Sequence, residues 1–141
     1  MCGISGYNDS INSITSLNES LNLIQHRGPD DSGTYVSHSS KIGLGHRRLS
    51  IIDTSTSGHQ PMLDSKEKIV LVFNGEIYNF KKLRTDLIKE GFTFKSDSDT
   101  EVLLNLYISK GTQMLSQLNG IFSFAIWDEN LEQLFLARDS F

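Results

Sequence analysis

The sequence predicts an α+β fold in which antiparallel strands and helices form separate layers, and three observations carry that expectation. Ile69-Val70-Leu71-Val72-Phe73 is an unbroken apolar, β-rich run, the mark of a buried strand. Residues 121–127 and 134–137 are apolar runs flanking Asp128-Glu129-Asn130, the pattern of a β-hairpin. Apolar residues at helical spacing recur between such runs, without the strict strand–helix–strand alternation of a parallel sheet.

The elements follow in order. Residues 3–7 read as a short strand starting almost at the terminus, and Ile14, Leu17, Leu21 and Ile24 lie on one face of an amphipathic helix over 14–25. His26-Arg27-Gly28-Pro29-Asp30-Asp31-Ser32-Gly33 is a loop by composition. Residues 42–52, with Ile42, Leu44, Leu49, Ile51 and Ile52, predict a strand with one face buried, ended by the polar stretch 53–58. The strand at 69–73 runs into Asn74-Gly75, a pair that favours positive φ and predicts a tight turn. Leu83, Leu87 and Ile88 predict a helix closed by Gly91. The Ser96–Asp99 cluster caps a second helix carrying Val102, Leu103, Leu106 and Tyr107 and closed by Gly111. A helical turn or two fits in 112–119. Trp127 and Phe122 are core residues.

Bulk properties exclude several classes of function. At 141 residues the chain is one domain. Thirteen basic against 17 acidic residues leave a net charge of −4, and Arg47-Arg48 is the nearest approach to a basic patch, so no nucleic-acid partner is expected. No run reaches the roughly 18 apolar residues of a membrane helix, and Asp9 and Glu19 contradict a signal peptide. The expected location is the cytoplasm. His26, His46 and His59 have no metal-ligand spacing with one another, and the lone cysteine makes a cysteine metal site or internal disulfide untenable. No metal is expected, and the histidines read as structural.

That single cysteine is Cys2, either an inert packing residue or a nucleophile. Cysteine is small enough for the preceding Met1 to be trimmed. The chain would then begin with a thiol and a free α-amine on one residue. With a pKa of roughly 7.7–8.0, that amine is partly unprotonated near neutrality and suits a general base. The nucleophile would carry its own base.

Six segments, counting that of Cys2, form a wider pattern: Cys2-Gly3-Ile4; His26 to Gly33; Gly45-His46-Arg47-Arg48-Leu49-Ser50-Ile51-Ile52-Asp53; Phe73-Asn74-Gly75-Glu76-Ile77-Tyr78-Asn79; Ser98-Asp99-Thr100-Glu101; and Ala137-Arg138-Asp139. In kind and order they resemble the class II glutamine amidotransferases, members of the N-terminal nucleophile hydrolases, over nearly the whole chain. The versions of the second and fourth segments are similar to the asparagine synthetase branch. The resemblance implies a four-layer αββα sandwich, two antiparallel sheets between helices. It also implies acyl transfer from glutamine to the Cys2 thiolate, release of ammonia, and hydrolysis of a γ-glutamyl thioester. Asn74 and Gly75 match the family's oxyanion hole, against the alternative of an ordinary turn. Arg48 matches the arginine that clamps the substrate α-carboxylate, the alternative being a solvated surface charge. Asp99, with Glu76 beside it, matches the acid that holds the α-ammonium, the alternative being a helix cap. Leu49 and Ile52 resemble positions whose backbone lines the glutamine pocket, and Arg27 falls in the loop nearest the nucleophile.

The resemblance further implies that residues 2–141 are the glutaminase domain of a two-domain enzyme, incomplete at its C-terminal end, where Ser140 replaces the usual arginine after Asp139. L-glutamine is the expected partner, with a homodimer as a further option. The domain needs no cofactor of its own. ATP and Mg are expected for a C-terminal synthetase domain, whose acceptor the sequence does not name. Two rival readings stay open: a non-catalytic amidotransferase-like binding domain, and a hydrolase of a different amide. The pairing of Arg48 with Asp99 opposes the second.

Overall fold

A computed structural model describes residues 2–9, 11–50 and 58–140. One antiparallel sheet contains β1 (Gly3–Asn8), β2 (Asp31–Val36) and β3 (Ile42–Arg48) in the order β1-β3-β2. The second contains β4 (Met62–Leu63), β5 (Ile69–Ile77), β6 (Gly120–Asp128) and β7 (Gln133–Arg138), in the order β4-β5-β6-β7 and also antiparallel. Helix α1 (Ile14–Leu23) packs on the first sheet, and α3 (Asp99–Lys110), against which α2 (Phe80–Lys89) lies, packs on the second. The strands β1 and β3 meet β5 between the sheets. Four layers result, as the sequence predicts.

The unbroken apolar run of β5 follows from this layering. Side chains alternate along a strand, so a strand covered on both faces needs apolar residues at both parities. Val70 and Val72 join Ile42, Leu44, Ala125 and Trp127 between the two sheets. Leu71 and Phe73 join Phe124, Ile126, Leu83, Leu87, Leu103 and Leu106 beneath the helices. Full burial of each such aliphatic side chain contributes on the order of 1.5–3 kcal/mol. Trp127 and Phe122 are both buried, and the hairpin falls as expected between β6 and β7.

Two local expectations are corrected, and the helix cap is placed within its expected cluster. The loop at 26–33 is instead a short 3₁₀ turn, Gln25–Arg27, followed by β2, whose first residues Asp31, Ser32 and Gly33 pair with Arg48, Arg47 and His46. Edge pairing to β3 supplies backbone bonds that Asp, Ser and Gly would not select locally. Asn74-Gly75 is no turn. The ladder to β6 continues through Asn74↔Ser123 and Gly75↔Phe122 to Ile77↔Gly120, because a long-range partner overrides the local turn preference. The cap of α3 is Ser98, whose hydroxyl accepts the Thr100 N–H, leaving Asp99 as the first helical residue. Of the strand expected over 42–52, β3 covers Ile42–Arg48, and Ile51 and Ile52 lie outside the described residues. Among the described residues, no helix is long and apolar enough to cross a membrane.

Candidate active site

The ends of the two sheets and the N-terminus of α3 converge on one cavity of about 250 Å³, lined by Cys2, Arg48, Leu49, Asn74, Gly75, Glu76 and Asp99 among others. This is below the range of about 300–1,000 Å³ typical for drug-sized ligands and suits an amino acid. Every described residue that the sequence singled out for catalysis or binding therefore lines one space. Ile52 lies outside the described residues, as does Met1.

Cys2 precedes β1 and sits one residue beyond the Gly3↔Arg47 pair, which puts it beside the end of β3. Its Sγ accepts the Leu49 N–H at 3.3 Å and lies 3.7 Å from the Leu49 carbonyl. Its own carbonyl accepts Arg27 Nε at 3.1 Å. Arg27, in the loop nearest the nucleophile, thus touches the backbone of Cys2 and not its thiol.

The two residues expected to supply oxyanion donors, Asn74 and Gly75, lie on β5. In an antiparallel strand the N–H groups of alternate residues point to the same edge. Phe122, opposite Gly75, directs its backbone away from β5: its N–H donates to Asp139 Oδ2 and its carbonyl accepts the Asp139 N–H. Gly75 therefore shares the edge of Phe73 and Ile77, away from β6. The Phe73 N–H donates to Gln60 Oε1 at 2.7 Å and the Ile77 N–H to Asp99 Oδ2 at 3.0 Å. Between them, no side chain among the described residues accepts from the Gly75 N–H. Gly75 has φ +150°, and a Cβ there would collide with the Ile121 carbonyl, so only glycine brings this N–H to the cavity without displacing β6. Asn74 lines the same cavity; its Oδ1 is buried without a partner among the described residues, and its Nδ2 meets no acceptor there.

Charged side chains line the same cavity. Arg48, on β3, is buried, and so is Asp99, on α3. Burial raises the Asp99 pKa above the ordinary carboxylate value, the Ile77 N–H partly opposes this, and the Glu76 charge adds to the rise. The ionised form of Asp99 thus costs folding stability above the pKa of an unfolded aspartate, and acidification relieves that cost. An ammonium ion bound beside it would relieve it too.

Several neighbours were not legible in advance. Gly58, Gln60, Phe73, Ser98 and Thr100 line the cavity, with Tyr78 and Ile121 exposed beside them. Gly58 packs so closely on Arg48 that a Cβ would meet the guanidinium Nη2, with Cζ at 2.7 Å. Gly58→Ala should push that guanidinium off its position. The expected result is a rise of roughly tenfold in the KM for an anionic substrate, equivalent to about 1.4 kcal/mol, with kcat little changed. Steady-state kinetics measure it, and an unchanged KM would remove Arg48 from substrate binding. His46 is buried, and burial lowers its pKa to about 4, so it is neutral near pH 7 and its Nε2 donates to the Phe73 carbonyl at 3.1 Å. It is structural, as the sequence reading has it. His26 is not among the residues that line the cavity, and His59 pairs with Asp31 at 2.7 Å.

Comparison with known proteins defines the class first. The fold matches glutamine phosphoribosylpyrophosphate amidotransferase from B. subtilis, complexed with ADP and GMP, with a TM-score of 0.76 at 24% identity over 98% of this chain and 36% of that one. An allosteric regulatory enzyme of purine biosynthesis matches with a TM-score of 0.60 at 24% identity, covering 98% of this chain and 31% of that one. The chain therefore shares its fold with these two enzymes. The family model for the glutamine amidotransferase domain matches residues 1–141, and the chain belongs to that family of enzymes. It is 44% identical to asparagine synthetase [glutamine-hydrolyzing] 1 of Bacillus subtilis, over 100% of this chain and 23% of that protein. To amidase chry2 of Gibberella zeae it is 42% identical, again over 100% of this chain and 23% of that protein. The chain thus spans about a quarter of the length of these relatives.

Proposed function

We propose that this domain hydrolyses L-glutamine to glutamate and ammonia through a thioester on Cys2, and that the ammonia feeds an ATP-dependent, asparagine synthetase-like amidation in a longer cytoplasmic enzyme. The observation that carries the reading is the cavity itself. A thiol, two neighbouring donors of β5 without an acceptor among the described residues, a buried arginine and a buried carboxylate line a space of amino-acid size.

In this mechanism Arg48 receives the α-carboxylate and Asp99, with Glu76, the α-ammonium, which leaves the side-chain amide directed at Cys2. A guanidinium fork suits a carboxylate because it donates two parallel hydrogen bonds. The thiol proton passes to the α-amine of the trimmed N-terminus, and the sulfur forms a bond to the amide carbon. The carbonyl oxygen gains the negative charge and is met by Asn74 Nδ2 and the Gly75 N–H. Collapse of the tetrahedral species expels ammonia, which takes the proton from the α-amine. Water then adds to the thioester, the same donors hold the second oxyanion, and glutamate leaves with the thiol restored. Leu49, whose N–H already touches Sγ, holds the sulfur at the mouth of β3. ATP and Mg would serve the C-terminal synthetase domain of the longer enzyme, and no step here runs through them.

The test is hydrolysis of glutamine beside an analogue lacking the α-amine. The parent should reject the analogue, and Asp99→Asn should discriminate much less. Because the Asp99 pKa is raised, kcat/KM for glutamine should fall on acidification before an ordinary aspartate would titrate. Protonation removes the counter-charge, so Asp99→Asn should lose this acid limb. Equal hydrolysis of both substrates by the parent would favour a hydrolase of other amides.

A further inference from the structure

We infer that Gln60 is a positioning residue for the oxyanion donors, holding the backbone of β5 one residue before Asn74. This rests on the glutaminase reading above. The need for such a residue follows from the topology. Strand β4 pairs with β5 at Leu71 and Val70, and beyond Leu71 no strand among the described residues neighbours the outer edge of β5. An unpaired strand edge is free to twist, yet Asn74 and Gly75 must hold their donors to within fractions of an ångström.

Side chains replace the missing strand. Both edge-facing backbone groups of Phe73 are occupied, the N–H by Gln60 Oε1 at 2.7 Å and the carbonyl by His46 Nε2 at 3.1 Å. Gln60 is itself buried and lines the cavity. Its other end, Nε2, lies 3.4 Å from Thr100 Oγ1, a long hydrogen bond that sets which end of the amide faces β5. Thr100 is in turn fixed by the Ser98 cap. The polar ends of Gln60 thereby connect the strand bearing the oxyanion donors to the helix bearing Asp99. Gln60 makes no proposed contact with substrate; it acts through Phe73 on the next two residues.

The experiment is a double-mutant cycle in the native protein, with rates expressed per active thiol titrated by a glutamine-like electrophile. That titration separates true turnover from a loss of folded enzyme. Gln60→Met keeps the volume and removes both polar ends. It should lower kcat by about 10- to 100-fold, the scale expected when a catalytic group is displaced by around 1 Å, with KM changed less than about threefold. In an Asn74→Ala background the same change should cost less than about threefold, because the donor it positions is already gone. Gln60→Glu keeps an oxygen acceptor for the Phe73 N–H and should retain kcat to within about fivefold. If Gln60→Met does not fold, the cycle is run with Gln60→Leu. Undiminished kcat in the glutamine-to-methionine variant, or fully additive losses in the cycle, would overturn the inference. A parent that hydrolyses no glutamine at all would instead sink the functional reading beneath it.

Discussion

Replacing Cys2 with alanine should abolish glutamine hydrolysis, with a fall of at least about 10⁴-fold, while synthesis from added ammonia in the longer enzyme continues. The magnitude follows from the chemistry. Removal of a covalent nucleophile forces water to attack an unactivated amide, and losses of up to about 10⁶-fold are known for single nucleophile deletions. The structure adds that the change should be nearly silent in stability. Cys2 is only partly buried, its sulfur makes only the weak hydrogen bonds of a thiol to the Leu49 backbone, and its carbonyl bond to Arg27 does not depend on the side chain. A thermal melt of the variant should therefore overlay the parent's closely. Glutamine hydrolysis by the alanine variant at a rate near the parent's would assign the nucleophile elsewhere.

The second large effect is expected from Asn74→Ala, a fall in kcat of about 100- to 1,000-fold with KM for glutamine little altered. An oxyanion donor bonds most strongly to the charge that develops in the transition state, so its loss enters kcat rather than ground-state binding. The backbone of residue 74 remains in the ladder opposite Ser123, and its side-chain Oδ1 has no partner to lose among the described residues. The variant should fold. Gly75→Ala is the poorer test, because the added Cβ collides with the Ile121 carbonyl and would displace β6 as well as the donor. A raised KM with unchanged kcat in Asn74→Ala would move Asn74 from transition-state stabilisation to ground-state binding.

These two effects and the KM changes expected for Gly58→Ala and Asp99→Asn divide the cavity into two ends. In the proposed mechanism one end, Cys2 with Asn74 and Gly75, would act on the reacting amide, and the other, Arg48 with Asp99, would read the amino-acid head group. The raised pKa of Asp99 belongs to the second: a carboxylate held where its charge is poorly solvated gains more from a cationic ligand than an exposed one would.

The sequence by itself determined the layered α+β class, because a run such as Ile69–Phe73 is apolar at both parities only if both faces of its strand are covered. It determined the residue types of the site as well: a lone cysteine after the initiator methionine, Asn74-Gly75, Arg48 and Asp99 are chemically distinctive, and each falls within a short, recognisable segment. Tertiary structure decided what local signals mislead about or leave unstated. Asn74-Gly75 has the preferences of a turn, but nine residues of pairing with β6 outweigh them and make it the edge of a strand. Asp31, Ser32 and Gly33 have the composition of a loop, but β3 offers them an edge to pair with. Asp99 was a candidate helix cap until Ser98 took that role, which leaves the aspartate carboxylate for the Ile77 N–H and the cavity. The supporting residues Gln60 and Gly58 were invisible for the same reason: their effect lies in what they touch, the Phe73 backbone and the Arg48 guanidinium, and contacts between residues so far apart in the chain are set by packing of the layers rather than by any local pattern.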